Sequence, residues 1–141
     1  MTKSYSQAIK DFGKLPEKVV RGTVLSMGAK IIQRTPVGNP ALWKRPVKGY
    51  VGGRLRNNWQ FTFGQPATGT EEGVDPSGSK ATAELRATAG RLKMGQVFYM
   101  TNNLPYATRI EFGHSKQAPQ GMVRVTVAEH EVSIREAAAK A

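Results

Sequence analysis

The sequence predicts an α+β protein, in which a small antiparallel sheet is packed by a long N-terminal helix and a C-terminal helix, with long loops between these elements. Three patterns carry this prediction. Apolar residues recur at helical spacing within residues 16–34, and they alternate with polar residues at 59–63. Within 122–140, apolar residues at helical spacing are followed along the chain by an alanine-rich segment. The 141 residues fit one domain, 1–141, with no internal repeat.

The long N-terminal helix is expected from Pro16 to Arg34, after a shorter helix at about 6–12. Proline is favoured at a first helical position, and Pro36 disfavours helical geometry in the residue before it. Leu25 and Ile32 lie away from the main apolar face, either as packing at the edge of the core or as a subunit contact. The main face consists of residues spaced by 4, 3 and 4 along the chain: Val20, Val24, Met27 and Ile31.

The middle of the chain is expected to form the sheet. Trp59, Phe61 and Phe63 alternate with polar residues, which predicts a strand with one buried face, so that these three rings belong to the core. We expect a second strand at about 81–88 and a third at 96–102, where the apolar run 97–100 indicates burial on both faces. Residues 65–80 combine Gly, Pro, Ser and Thr, which predicts a flexible, protease-sensitive loop.

The C-terminal part is expected to be helical. Residues 105–112 fit about two helical turns, with Gly113 as their stop. Residues 123–127 alternate as in a strand, but a helical face also runs from Val123 through His130 to Ile134. The segment 136–139, Glu-Ala-Ala-Ala, strongly favours helix. We therefore expect a helix over 122–140.

The chain is strongly basic, with 21 Lys and Arg against 10 Asp and Glu and a formal net charge of +11. Such an excess implies an acidic partner, of which nucleic acid is the commonest. The absence of cysteine excludes disulfides and thiolate metal sites. No run of about 18 apolar residues and no secretory signal is visible, so we expect a soluble protein made in a cytoplasm, without a membrane partner.

Few residues have the types and spacings that catalysis requires. His114 and His130 have no carboxylate partner at metal-ligand spacing and are interpreted as surface or packing residues. Glu71, Glu72 and Asp75 fall in the predicted flexible loop, where a solvated acidic turn is the better interpretation. We therefore expect no catalytic, cofactor or metal site, and a protein that is not an enzyme.

Residues 37–56 form a basic loop with aromatic residues. Trp43 and Tyr50 lie among Lys44, Arg45 and Lys48, and prolines and glycines prevent regular structure. As a nucleic-acid surface, the loop would neutralise phosphates and stack its rings on bases. As an assembly loop, it would insert its rings into a neighbouring subunit. A solvated run of charges is the third interpretation.

Two separated motifs carry a resemblance to a known family. The first is Thr35-Pro36 followed by Gly53-Arg54-Leu55-Arg56 and Trp59. The second is Asn103, Pro105-Tyr106-Ala107, Glu111-Phe112-Gly113 and the turn Pro119-Gln120-Gly121. In order and spacing, from about 16 to 136, they resemble the head-to-tail connector proteins of long-tailed double-stranded-DNA bacteriophages, the tail-component family. Residues 37–52 intervene where many members have only a few residues, so a role for that loop does not follow from the resemblance.

The resemblance implies a structural virion protein of the neck, a tail-completion protein that forms a ring, expected to be a hexamer, between the tail and the DNA-filled capsid. Its partners would be copies of itself, the adjacent head-connector and tail-tube or terminator proteins, and double-stranded DNA that passes non-specifically through the channel. The protein would be assembled in the bacterial host cytoplasm and reside in the virion. Two alternatives stay open: a tail terminator ring that caps the tube, and a freestanding non-specific DNA-binding protein.

Two sets of residues are expected to carry this role. Arg54 and Arg56 would either pair with Glu111 across subunits or face DNA, and the sequence does not choose between them. The expected subunit or partner contacts are Trp43, Tyr50, Arg54, Arg56, Tyr106, Arg109, Glu111 and Phe112. The expected DNA-facing residues are Lys44, Arg45, Lys48, Arg91 and Lys93.

Overall fold

The computed structural model describes residues 5–39, 44, 45 and 48–141, and it confirms the α+β class. The helices are α1 (Tyr5–Phe12), α2 (Glu17–Arg34), α3 (Arg54–Asn57), α4 (Ser79–Ala89), α5 (Ala107–Glu111), α6 (Val123–Ala128) and α7 (His130–Lys140). The strands are β1 (Gln60–Phe63) and β2 (Phe98–Thr101). Within the described ranges, no helix combines the length and apolar character needed to cross a membrane.

Helix α2 is the centre of the fold, with α4 and α7 packed against it. It ends before Thr35, as the sequence predicts, but it begins one residue later than predicted, at Glu17, because Pro16 is an N-cap with extended backbone. Its buried face differs from the predicted one, because two neighbours cover the helix from different sides. Small residues allow both approaches: a Cβ added to Gly22 would lie 2.9 Å from the Cβ of Ala137, and one added to Gly28 would overlap Leu85. The buried residues of α2 are Val19, Thr23, Gly28, Ile31 and Ile32.

The position of Ile32 resolves one of the open alternatives. Ile32 has 0% of its surface exposed and belongs to the main hydrophobic cluster, and Leu25 is half-buried against that cluster. In the folded chain Ile32 is therefore a core residue and is not available as a subunit contact. Of the predicted apolar face, Ile31 is buried and Val20, Val24 and Met27 are half-buried.

The sheet has two antiparallel strands, β1 and β2, with Gln60 opposite Thr101 and Phe63 opposite Phe98. Every residue of both strands is half-buried, so the prediction that 97–100 is buried on both faces is wrong. The reason is that α4 covers β1, whereas Val97, just before β2, is 54% exposed. Trp59 is buried as predicted, and its indole nitrogen donates to the Thr35 hydroxyl at 2.8 Å.

The predicted strand at 81–88 is wrong, since these residues lie in helix α4. The carboxylate of Asp75 accepts hydrogen bonds from the backbone N–H groups of Lys80 and Ala81, at 3.3 and 2.8 Å, which caps the N-terminus of the helix. The side chain of Leu85 then enters the core beside α2. Asp75 is only 5% exposed, so the interpretation of this residue as part of a solvated turn is also corrected.

The loop predicted at 65–80 ends at Gly78, because Ser79 and Lys80 belong to α4, and asparagine side chains attach it to the body of the protein. The amide of Asn58, which has 0% of its surface exposed, both donates to the carbonyl and accepts from the N–H of Glu71, at 3.1 and 2.8 Å. Asn57 donates to the carbonyl of Glu72, and Asn103 to that of Gly69. We call these contacts the asparagine attachments. The flexibility and protease sensitivity of this loop stay predictions.

The C-terminal segment is helical, as predicted, but it is divided at Glu129 into α6 and α7. Just after the division, His130 has 0% of its surface exposed, and its ring nitrogens lie 2.9 Å from the Val127 carbonyl and 2.8 Å from the Asp11 carboxylate. This histidine is therefore a packing residue that connects α7 to α1. The predicted helix at 105–112 is present as the shorter α5.

Candidate subunit-contact surface

The two sequence motifs meet at one depression, with a volume of about 390 Å³. From the first motif and the loop before it come Tyr50 and Arg54, and from the second motif come Tyr106 and Ile110. His114 and Lys116, which follow the second motif, also line it. Segments about 50 residues apart in the chain thus form a single surface that combines aromatic rings with positive charge. We call it the aromatic–basic depression.

Gly53 sets the position of Arg54 in this surface. Its φ of +113° lies in the left-handed region, and an added Cβ would overlap the backbone of Pro76. The Gly53 carbonyl accepts hydrogen bonds from the N–H groups of Asn57 and Asp75, both at 3.0 Å. The tight approach fixes the start of α3, from which Arg54 extends as an exposed side chain.

Tyr106, Tyr50 and Arg54 interact electrostatically. Partial burial of Tyr106 raises the pKa of its hydroxyl above the ordinary value, Arg54 acts against this by lowering it, and Tyr50 adds to the increase. Tyr106 is 37% exposed and Tyr50 40% exposed, so both rings remain accessible. Two accessible tyrosines beside an arginine have the composition of a protein contact surface.

Arg56 has a different position from Arg54. Its guanidinium donates hydrogen bonds to three backbone carbonyls: Thr35 at 2.9 Å, Gln33 at 3.0 Å and Pro76 at 2.6 Å. Burial lowers the pKa of Arg56, and the charge of Asp75 partly restores it. The side chain connects the end of α2 to the loop before α4, so its contacts in the folded chain are internal.

Glu111 is also engaged within the chain. Its carboxylate accepts hydrogen bonds from the N–H groups of Met122, Val123 and Arg124, at 2.9, 2.8 and 2.9 Å, and caps the N-terminus of α6. An added Cβ at Gly121 would overlap Glu111. Two pieces of the resemblance, Glu111-Phe112-Gly113 and the turn before α6, therefore form one structural unit.

Phe112 follows this cap and is 65% exposed, the most exposed of the large apolar side chains in the part of the chain that the structure describes. The guanidinium of Arg124 lies 5.3 Å from the centre of its ring, within the range of a cation–π interaction. Arg109, in α5, is exposed as well. This end of the molecule therefore presents a second combination of an aromatic ring with arginine.

The other residues predicted for the site are less tightly grouped. Lys44, Arg45 and Lys48 are exposed, and Trp43 lies outside the described residues. Arg91 and Lys93 are exposed in the turn between α4 and β2 and do not line the aromatic–basic depression. The structure therefore brings together Tyr50, Arg54 and Tyr106, but not the full set of predicted DNA-facing cations.

Sequence reasoning missed several residues that shape this surface. Gln117 lines the depression, and its side chain exchanges hydrogen bonds with the N–H and carbonyl of Val37, at 3.3 and 3.0 Å. It thereby attaches the start of the basic loop to the segment after α5. Lys116 adds positive charge and His114 adds an exposed imidazole ring, and the signal in the sequence is that both follow Gly113.

Among the described residues, no three side chains of His, Cys, Asp and Glu are grouped in a way that could hold a metal ion. No protein-family model matches the chain, and comparisons with curated proteins and with solved structures gave no significant match. The surfaces described above are therefore the features of the described residues that bear on function.

Proposed function

We propose that this chain is a structural virion protein of the bacteriophage neck, a tail-completion protein that forms a ring joining the tail to the DNA-filled capsid. One observation carries the proposal: the two motifs that resemble the connector family meet at the aromatic–basic depression through Tyr50, Arg54 and Tyr106. The proposed role is one of assembly and requires no catalytic group.

The exposed rings support a subunit contact. Aromatic residues and arginine are enriched among the residues that dominate binding energy at protein interfaces. Tyr50, Tyr106 and Phe112 are 40%, 37% and 65% exposed in the isolated chain. In a ring each subunit uses two different surfaces, and the aromatic–basic depression and the exposed ring of Phe112 are the candidates for them.

The charge of the chain supports a channel that DNA passes through. A ring repeats the basic surface of each subunit around its axis, and attraction to phosphates needs no contact with bases. The exposed cations of the basic loop, Lys44, Arg45 and Lys48, suit this use. The net charge of +11 also favours attraction to DNA.

Electron microscopy of lysates tests the proposal directly. The phage genome that encodes this chain would be prepared with the gene deleted and with the gene restored from a plasmid. Full heads beside detached tails of normal length are the expected result. Overlong tails would instead indicate a terminator ring, and normal infectious particles would contradict both structural roles and favour the freestanding DNA-binding protein.

A charge reversal locates the contact surface. Arg54→Glu should abolish complementation by the plasmid, because Arg54 is exposed at the depression, while the purified variant should melt at the temperature of the unchanged protein. The matched control is Arg135→Glu, which reverses an exposed cation on α7 that does not line the depression. Equal titres from the two variants would remove Arg54 from the contact.

A further inference from the structure

A second groove runs over α2, between α4 and α7, with a volume of about 690 Å³. It is separate from the aromatic–basic depression and shares no lining residue with it. Its floor is a single stripe of α2, formed by Gly22, Leu25, Ser26 and Ala29.

The groove exists because α4 and α7 both pack closely onto α2. Gly22 allows α7 to approach through Ala137, and Gly28 allows α4 to approach through Leu85. The floor between these contacts consists of small and apolar side chains, with Leu25 and Ala29 half-buried. Apolar surface in a concave site gains free energy when a partner covers it.

The rim of the groove is positive. Glu136 is the one carboxylate side chain among the described residues that line it. Lys30 and Ser26 both contact its carboxylate, so its negative charge is compensated within the chain. Five cations line the groove: Lys18, Arg21, Lys30, Arg86 and Lys140. Of these, Lys18, Arg86 and Lys140 are exposed, so the rim attracts an acidic occupant.

The shape of the groove favours a helix as the occupant. Lys18 and Lys30, at its two ends, are about 18 Å apart along α2, the length of about three helical turns. A DNA backbone would be attracted by the charges of the rim, but it would not bury the apolar side chains of Leu25 and Ala29. We propose that this groove binds an amphipathic α-helix of a partner protein, with an apolar stripe on the floor and Asp or Glu side chains along both edges.

The direct test uses a synthetic probe and the purified full chain. The probe is a labelled peptide of about 18 residues that places leucines at i, i+4 and i+7 and glutamates on both flanks. Fluorescence anisotropy at low salt should show saturable binding, and the same peptide with every glutamate replaced by lysine should not bind. A failure of the acidic peptide to bind at about millimolar concentration overturns the proposal.

Substitutions in the groove separate a specific site from general attraction to a basic protein. Arg86→Glu combined with Lys18→Glu should weaken binding of the acidic peptide about tenfold or more, whereas Arg135→Glu should change it little. Ala29→Leu fills the floor without changing charge and should weaken binding to a similar degree. Circular dichroism melts of each variant verify that the fold is retained. If Ala29→Leu binds the peptide like the unchanged protein, the floor is not used and the proposal is wrong.

A DNA duplex of about 20 base pairs tests whether the groove binds nucleic acid instead of a helix. If the duplex binds with an affinity that falls in the Lys18 and Arg86 double variant but not in Arg135→Glu, and the peptide does not bind, the groove is a nucleic-acid surface. Because every measurement uses the isolated chain, a negative result here is distinguishable from a failure of the neck role, which lysate microscopy tests.

Discussion

The cap that Glu111 provides for α6 offers a direct test of the structural reasoning. Its carboxylate accepts three backbone N–H groups at 2.8–2.9 Å, and its side chain is only 18% exposed. Glu111→Ala removes both acceptor oxygens and with them all three hydrogen bonds. We expect the variant to fold and to unfold more easily, with the first turn of α6 as the region most affected.

The magnitude follows from the burial of the donors. Loss of a helix cap costs about 1 kcal/mol of folding free energy. Met122 is only 1% exposed. Its N–H group would therefore stay unsatisfied in the variant, at a further cost of about 1–3 kcal/mol. The 3.7 Å ion pair between Glu111 and Arg124 adds less than about 1 kcal/mol because Arg124 is exposed. The expected loss is about 2–4 kcal/mol, or about 7–14 °C in melting temperature.

Urea and thermal unfolding followed by circular dichroism measure this loss. Glu111→Gln, which keeps one acceptor oxygen, should lie between the alanine variant and the unchanged protein. The control is Glu84→Ala, since Glu84 is half-exposed and forms an i,i+4 pair with Lys80 at 3.7 Å. If Glu111→Ala and Glu84→Ala lose the same stability, the cap does not contribute as described.

Gly53→Ala should lower the free energy of unfolding by about 2 kcal/mol or more, because its φ is +113° and an added Cβ would overlap neighbouring backbone. Gly64→Ala should lower it less, because its φ is +80° but an added Cβ would meet open space. Urea unfolding of the two variants measures the difference. Arg56→Ala should cost about 2 kcal/mol in the same assay through its three lost hydrogen bonds, and a loss under about 0.5 kcal/mol would contradict the internal role. The hydrogen bond from Ser26 lowers the pKa of Glu136, with Lys30 contributing next. The linked stability is therefore present above the ordinary pKa and lost as pH falls through the lowered one. Ser26→Ala should raise the midpoint of Glu136 in a carboxyl NMR titration, and an unchanged midpoint would argue against that hydrogen bond.

Local patterns predicted the C-terminal end of α2, the burial of Trp59 and the helical C-terminal segment, because proline positions, strict alternation and alanine content act over a few residues. The burial of α2 was not predictable in the same way. Its covered faces depend on where α4 and α7 dock, and the residues that permit docking, Gly22 and Gly28, carry no apolar signal.

The predicted strand at 81–88 failed for a related reason. The residues Ala-Thr-Ala-Glu-Leu-Arg-Ala-Thr alternate enough to fit a strand, and the feature that favours helix is a cap from Asp75, several residues earlier. A helix cap that comes from outside the helix is a tertiary contact, so a local window does not detect it. The same holds for Glu111, which the sequence presented as a partner for arginine and the structure presents as a cap.

For the candidate site, the sequence indicated candidate segments, but it did not indicate which of their side chains are exposed and which make internal contacts. Arg54 and Arg56 are equivalent by type and spacing, yet Arg54 is exposed and Arg56 donates to three carbonyls. The difference arises because α3 is one short turn, which directs residues two positions apart to different sides. Only the positions of α2 and of the loop before α4 determine which arginine becomes internal.

The asparagine attachments and the exposed cations of this protein differ in how strongly ionic strength affects them. Amide hydrogen bonds such as those of Asn57 and Asn58 involve no net charge, so added salt screens them little. The exposed cations on the rim of the α2 groove and in the basic loop are screened strongly. A change of salt would therefore adjust the affinity for the proposed acidic partners while the loop at 65–78 stays attached to the folded chain.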